Sequence, residues 1–194
     1  ESEYPSLERS RNLNDLMVSC LSREVIALLQ VVGEVADDFM FNAFVVGGFV
    51  RDLLLKKANM DLDIVVEGDG ISFAKKLAER LGGRVRTHDR FKTAMIVLPD
   101  GLKLDVATAR LEYYEYPAAL PTVELSSIKL DLYRRDFTVN AMAVQLNTEH
   151  FGKLIDFFNS QNDLKQRAIK VLHNLSFVDD PTRIFRAVRF EKRM

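Results

Sequence analysis

The feature that most constrains this chain is a strand-to-helix passage through two glycines at residues 43–57. Ala43-Phe44-Val45-Val46 is a short apolar run that reads as a buried strand. It ends at Gly47-Gly48, and Phe49 to Lys57 then follows a helical pattern. A buried strand feeding directly into a helix points to a layered α/β arrangement. Glycines at such a turn let the backbone approach a phosphate closely. The helix behind them turns free N–H groups and a partial positive charge toward the same place. Arg51 lies on the first turn and adds a charged fork; the plainer alternative is a tight turn with Arg51 paired locally to Asp52.

The rest of the chain extends the alternation. From Ser22, a good N-cap, apolar residues recur at Val25, Ile26, Leu28, Leu29, Val32, Val35 and Phe39, which predicts a helix with one buried face. Leu62 to Glu67 reads as a strand closed by Gly68-Asp69-Gly70, and Ile71 to Leu81 as a helix stopped by Gly82-Gly83. Strands are expected near 84–87, 93–98 and 102–108, the last two joined by the turn Pro99-Asp100-Gly101. Residues 1–20 have no clear period, and residues 109–126 read as a long loop of the kind that tends to be functional. Helical segments near 127–133 and 136–141, strands near 142–147, 153–158 and 169–172, and a helix at 161–167 follow. Asp180-Pro181 opens a last helix.

Composition excludes several classes. The chain has 194 residues, 47% hydrophobic and 28% charged, which suits one large domain or one domain plus the start of another. No apolar run approaches the ~20 residues of a membrane span. A single cysteine, Cys20, excludes a disulfide framework and a cysteine-based zinc site and predicts a reducing cytoplasm. Net charge is -1, but residues 1–126 carry 15 Lys/Arg against 20 Asp/Glu, and residues 127–194 carry 12 against 8. An acidic front and a basic back fit a metal site facing a phosphate-bearing ligand. The chain stops at Met194 inside a helical run without cap or breaker, so it is expected to be a fragment of a longer protein.

Four further groups carry chemistry. Asp61-Leu62-Asp63 precedes the strand Ile64-Val65-Val66; residues i and i+2 share a face, and two like charges this close call for a cation, Mg²⁺ by the hardness of the donors. Asp105 sits between apolar neighbours in the middle of a strand, where a buried acid must be paired or metal-bound. Should these strands adjoin, three carboxylates converge, enough for two Mg²⁺ ions about 4 Å apart and in-line phosphoryl transfer. In Arg134-Arg135-Asp136-Phe137-Thr138-Val139-Asn140-Ala141, the residues Asp136 and Asn140 share a helical face beside Arg135, a combination suited to a triphosphate and a ribose. In Asp179-Asp180-Pro181-Thr182-Arg183, Asp180 is a natural N-cap, and Arg183, Arg186, Arg189 and Arg193 lie within one ~120° arc. For each group a bland reading stands beside this one: a solvated acid, a helix cap, a basic surface face.

In this order the motifs are specific. The run Val45-Val46-Gly47-Gly48-Phe49-Val50-Arg51-Asp52, then Asp61-Leu62-Asp63, Arg134 to Ala141, and Asp179 to Phe190 resembles the class II tRNA nucleotidyltransferases and bacterial poly(A) polymerases, within the wider DNA polymerase beta-like nucleotidyltransferases. The resemblance covers about residues 40–194. It implies an α/β head with a mixed sheet of about five strands over residues 22–168, the start of a helical neck at 169–194, and a linker or arm at 1–21. It further implies that Asp61, Asp63 and Asp105 are catalytic and hold two Mg²⁺ ions. Gly47, Gly48, Arg51, Arg135, Asp136 and Asn140 bind the nucleotide, and Asp180 and Arg183 read its base. The substrates implied are ATP, with CTP as a second, and the 3′ end of a tRNA, in the cytoplasm; a helical body and tail are missing.

The base-reading pair has a chemical rationale of its own. Cytosine and adenine each present an amino donor beside a ring-nitrogen acceptor, which a carboxylate and a guanidinium match; guanine and uracil present the reverse. Three departures from the family's pattern are present: Asp179-Asp180 for Glu-Asp, Asp156-Phe157-Phe158-Asn159-Ser160 for Asp-Pro-Phe-Gly-Gly, and Ala118 for the glycine common after Tyr116-Pro117. The competing expectations are a poly(A) polymerase, a non-catalytic nucleotide- or RNA-binding module, and a transferase moving a nucleotide onto a protein or antibiotic.

Overall fold

Leu13 and Met17, four residues apart, are both buried, and the segment between and beyond them is the first helix, α1 (Asn14–Cys20). The coordinates are those of a computed structural model, and it describes residues 11–113, 122–125, 127–173 and 180–191. Residues 1–10, the Tyr116-Pro117-Ala118 stretch, Asp179 and Arg193 lie outside the described residues. α1 belongs to the main core, and the stretch expected as an arm supplies it with Leu13 and Met17.

The expected amphipathic helix is α2 (Arg23–Asp38), its start capped by Ser22, whose Oγ accepts the Val25 amide at 3.3 Å. β1 (Asn42–Val46) runs into α3 (Gly48–Leu54). The turn requires glycine at its first position, because Gly47 has φ 75°. β2 (Leu62–Glu67) leads through the Asp69 cap into α4 (Gly70–Leu81), which ends in a left-handed Gly82. β3 (Arg84–His88), β4 (Thr93–Val97) and β5 (Lys103–Thr108) form an antiparallel meander. β6 (Arg110–Tyr113) and β7 (Thr122–Leu125) pair as a separate ribbon where a loop was expected. α5 (Ile128–Tyr133), the short β8 (Ala143–Gln145) and β9 (Leu154–Ile155), and α6 (Ser160–Lys165) follow, and α7 (Arg183–Glu191) comes last.

The main sheet has seven strands in the order β3-β4-β5-β2-β1-β8-β9. Only β2 and β5 pair in parallel; every other neighbouring pair is antiparallel. The strand count corrects the expected five, because the short β8–β9 pair adds an edge beyond β1. Strand alternation sends Val45, Ile64, Ile96 and Leu104 to one face, against α2 and α4. Phe44, Val46 and Val65 go to the other, against Ile128 and Leu132 of α5. Toward β3, among the described residues, no helix packs on this second face, and Arg86, Met95 and Asp105 are exposed there.

Three local expectations are corrected. Residues 136–141 are not an α-helix: only Thr138–Asn140 make a 3₁₀ turn, and Asp136 is held by its own bond to the Phe137 amide at 2.8 Å. Residues 169–172 form no strand but one bridge, Phe137 to Val171. Asp105 is exposed, because alternation in β5 buries Leu104 and Val106 and turns Asp105 to the open face. Asn159 takes φ 56°, a left-handed conformation where the family pattern has glycine. The Asp156 carboxylate steadies that turn by accepting the Ser160 amide at 2.8 Å and the Gln161 amide at 3.0 Å.

Candidate active site

The Gly47-Gly48 turn, Asp61 and Asp63 before and on β2, Arg134 to Asn140 after α5, and Asp180 to Phe190 on and before α7 line one open cleft of about 470 Å³. These segments are separated by many residues in the chain. Of the expected site residues, Gly47, Gly48, Arg51, Asp61, Asp63, Arg135, Asp136, Asn140, Asp180 and Arg183 all line it. Asp105 does not; it lines an adjoining cavity of about 440 Å³ that shares Asp63 and Arg135 with the cleft.

The acidic wall follows from register. Asp63 of β2 pairs directly with Asp105 of β5 in the parallel ladder, so the two carboxylates rise from one face on neighbouring strands. Asp61 precedes Asp63 by two residues on the same edge of the cleft. Burial pushes the Asp63 carboxyl above its ordinary range. The Arg135 guanidinium opposes that, and the charges of Asp105 and Asp61 add to it. Among the described residues, no three acidic, histidine or cysteine side chains are gathered into a ready-made metal cage.

The opposite wall is a guanidinium network. Arg51 is buried, with Nε on Asp52 Oδ1 at 2.8 Å and Nη1 on Asn140 Oδ1 at 2.7 Å. The local Arg51–Asp52 pair is therefore real, and it coexists with a place on the cleft wall. Asn140 also donates to Asp136 Oδ1 at 3.3 Å, so the two residues meet despite lacking a helix between them. Asp136 Oδ2 stands 2.6 Å from Arg186 Nη2, an ion pair without hydrogen-bond alignment. Arg135 Nη2 reaches the fully buried Asp131 at 3.3 Å, and Arg134 reaches the same carboxylate at 3.3 Å. Arg135 Nη1 lies so near Gly47 that a Cβ there would sit 3.3 Å from it.

α7 is seated by Phe190, whose ring meets Phe137 edge-on at 5.9 Å and lies under the Arg51 guanidinium at 5.2 Å. This seating brings Asp180 and Arg183 to the cleft. The Asp180 carboxylate accepts the Thr182 amide at 3.1 Å and the Thr182 hydroxyl at 2.5 Å. The hydroxyl bond holds the Asp180 carboxyl below the ordinary carboxylate range, helped by that amide, Arg183 and Arg186 against a smaller effect of burial. Asp180 is thus an ionised acceptor at neutral pH. Arg183 Nε lies 3.9 Å from it, and its Nη2 reaches the Arg134 carbonyl at 3.5 Å.

Sequence reasoning missed Asp131, Phe190 and Asn59 as parts of this architecture. Asn59 donates to Asp52 Oδ2 at 2.7 Å, which fixes the partner of Arg51. A signal existed for Asp131: an acid three and four residues before an Arg-Arg pair reaches both along a helix. None existed for Phe190, whose role depends on how α7 folds back.

Known proteins resemble this chain in sequence and in fold. The poly A polymerase head domain matches residues 43–170. The chain is 59% identical over 186 residues to the A-adding tRNA nucleotidyltransferase of Geobacter sulfurreducens, covering 96% of this chain and 21% of that protein. It is 46% identical over 191 residues to the A-adding tRNA nucleotidyltransferase of Halalkalibacterium halodurans, covering 98% of this chain and 45% of that one. The chain thus spans less than half the length of these relatives. Among solved structures it resembles a CCA-adding enzyme in apo form II, with TM-score 0.92 and 53% identity over 97% of this chain and 44% of that one. It also resembles the Thermotoga maritima CCA-adding enzyme complexed with tRNA, with TM-score 0.86 and 47% identity over 97% and 42%. A CCA-adding enzyme complexed with ATP matches with TM-score 0.86 and 49% identity over 96% and 42%. The chain belongs to the poly A polymerase head-domain family, the head shared by tRNA nucleotidyltransferases.

Proposed function

We propose that the protein carrying this head transfers a nucleotide, AMP in the first place, from a nucleoside triphosphate to the 3′-hydroxyl of a tRNA and releases pyrophosphate. The observation that carries this reading is the convergence of four distant segments on one cleft: glycine turn, paired acids, guanidinium network and Asp180/Arg183. A cleft with carboxylates on one wall and guanidinia on the other suits a triphosphate whose α-phosphorus faces the acids. AMP is favoured because the A-adding relatives reach 59% and 46% identity. Addition of both CMP and AMP is the second reading, since the resembling solved structures are of CCA-adding enzymes. Residues 22–168 then act as the head, residues 169–194 as the beginning of the neck, and the site of action is the cytoplasm.

Each residue has a role in this reading. Arg135, anchored on Asp131, and Arg51, anchored on Asp52 and Asn140, hold the phosphates beside the Gly47-Gly48 backbone. Asp136 and Asn140 contact the ribose. Asp180 accepts from the exocyclic amine of the base and Arg183 donates to its ring nitrogen, which selects A and C over G and U. Asp105, on the open face, orients the attacking hydroxyl and draws off its proton. The all-oxygen donor set of Asp61, Asp63 and Asp105 fits Mg²⁺, and the like charges around Asp63 favour a cation there. Bound Mg²⁺ supplies Lewis-acid stabilisation of the charge developing on the phosphoryl oxygens.

The test is single-nucleotide incorporation by the full-length protein. The acceptors are tRNA ending before CCA, after the first C, and after both Cs, each with one triphosphate at a time. Incorporation of ATP alone, onto the CC end alone, establishes AMP addition. Incorporation of CTP onto the shorter ends moves the assignment to CCA addition. No incorporation on any end overturns the reading.

A further inference from the structure

The loop that returns the chain from α3 to β2 holds one side chain bonded at both ends. Asn59, half-buried on the cleft wall, donates through Nδ2 to Asp52 Oδ2 at 2.7 Å, and its Oδ1 accepts the Asp61 amide at 2.8 Å. The partners fix which way the amide faces, since a carboxylate accepts and a backbone N–H donates. Each partner leads to a different wall of the cleft. Asp52 gives its other oxygen, Oδ1, to Arg51 Nε at 2.8 Å, and Asn140 takes Arg51 Nη1 at 2.7 Å. The guanidinium is thereby held at Nε and at Nη1, and its Nη2 lies 3.3 Å from where a Cβ on Gly48 would stand. Asp61 stands on the acidic wall, two residues before Asp63. Around Asn59, the side chains of Lys56, Lys57, Ala58 and Met60 are exposed, so burial in the core does not set the course of this loop.

We propose that Asn59 is a positioning residue that sets the distance between the phosphate-holding Arg51 and the acid Asp61. The proposal rests on the transferase reading and adds a residue to it. In-line attack requires that the α-phosphorus held from one wall meet the hydroxyl held at the other. An error of about 1 Å in that separation costs about a hundredfold in rate. One side chain spans the gap: its donor end steadies the carboxylate that orients Arg51, and its acceptor end steadies the backbone that carries Asp61. Asparagine suits this place because it carries a donor and an acceptor on one short planar group. Aspartate offers no donor to Asp52, and the single oxygen of serine reaches the Asp61 amide alone. Asn59 therefore acts through Arg51 and Asp61 and has no need to touch the substrate.

The experiment compares the full-length wild type with Asn59→Ser and Asn59→Ala, each alone and combined with Asp52→Ala. Serine keeps an acceptor for the Asp61 amide and loses the bond to Asp52; alanine loses both. The readouts are KM for ATP and kcat for AMP addition to tRNA ending in CC, ATP affinity in EDTA by calorimetry, and melting temperature. Asn59→Ser is expected to weaken ATP about fivefold to tenfold, in KM and in metal-free affinity alike, the scale of one bond to a charged group, with kcat little changed. Asn59→Ala is expected to weaken ATP equally and also to lower kcat about tenfold to a hundredfold. With Asp52→Ala already present, Asn59→Ser is expected to cost ATP binding nothing more, because the bond it removes is gone. Asn59→Ser, which keeps the local turn, carries the test where Asn59→Ala fails to fold. Wild-type kcat and ATP affinity in Asn59→Ala, whatever its melting temperature, overturn the proposal. So do equal kcat values for the serine and alanine variants, or an Asn59→Ser effect that persists in full without Asp52. In each of these cases the transferase reading stands. Absence of transfer by the wild-type protein on every tRNA end defeats that reading, and the proposal with it.

Discussion

At the scale of single residues, the cleft holds two carboxylates tuned in opposite directions by their surroundings. Asp63 is pushed up, chiefly by burial, while Asp180 is held down, chiefly by the Thr182 hydroxyl. A charge held against desolvation weighs on the fold. In metal-free buffer at neutral pH, Asp63→Asn is therefore expected to raise the melting temperature while abolishing transfer. Calorimetry beside the incorporation assay checks both, and a variant that melts lower contradicts the electrostatic account. Arg183→Ala removes one half of the base-reading pair. Discrimination of ATP over GTP is expected to fall about tenfold to a hundredfold, the worth of one good base contact. The ratio of kcat/KM for the two triphosphates measures it. The pair Asp61/Asp63 was legible from spacing, because two residues along a strand is a distance over which backbone geometry places side chains on one face, whereas Asp180 and Arg183 were joined as a pair only by the family resemblance. The exposure of Asp105 was not inferred, because apolar neighbours in a strand were taken for burial of the whole segment.

At the scale of elements, the ends of helices and the partners of buried charges carry the argument. Asp69 caps α4, accepting the Ile71 amide at 3.1 Å and the Ser72 hydroxyl at 2.6 Å. The Ser72 bond leads the effects that hold its carboxyl below the ordinary value of 3.8. A depressed folded-state value means that Asp69 contributes stability above that ordinary value and loses the contribution as pH falls below it. Asp69→Ala is expected to destabilise by about 1 kcal/mol at neutral pH. Asp69→Asn keeps the cap and flattens the fall in stability below pH 4, seen as melting temperature against pH. Asp131 is the buried anchor of α5, and both Arg134 and Arg135 end on it. Asp131→Ala leaves those guanidinia without their carboxylate, which is expected to cost about 3–5 kcal/mol in denaturant unfolding. Helix existence was read correctly where apolar periodicity was long, as in α2 and α4. Residues 136–141 misled because Asp136 and Asn140 meet through a hydrogen bond across a 3₁₀ turn, and spacing does not distinguish that turn from a helix.

At the scale of the whole molecule, the cleft exists because the last helix folds back on the first half of the chain. Phe190 packs on Phe137 and beneath Arg51, and that contact carries Asp180 and Arg183 to the acids of β2. α7 also keeps Ile184, Phe185 and Val188 exposed on its far side. Among the described residues no helix is long and apolar enough to cross a membrane. Close packing between distant elements sets further limits. Gly33 lies in the interior of α2, where alanine is ordinarily favoured by ~1 kcal/mol. A Cβ at Gly33, however, would fall 1.8 Å from the Leu146 carbonyl oxygen, just beyond β8. Gly33→Ala is therefore expected to destabilise by about 1–3 kcal/mol, and chemical denaturation measures the sign.

By itself, the sequence determined the α/β class, the glycine turn after β1, the long amphipathic helices and the shared face of Asp61 and Asp63. All of these depend on contacts within a few residues, where periodicity and backbone geometry act directly. Only the tertiary structure decided that β2 and β5 pair in parallel and so bring Asp63 beside Asp105. The same holds for Phe190 seating α7 against Phe137 and Arg51. These arrangements join segments far apart in the chain. Their register and packing are chosen by the burial of both sheet faces together, a condition that no local window of sequence contains.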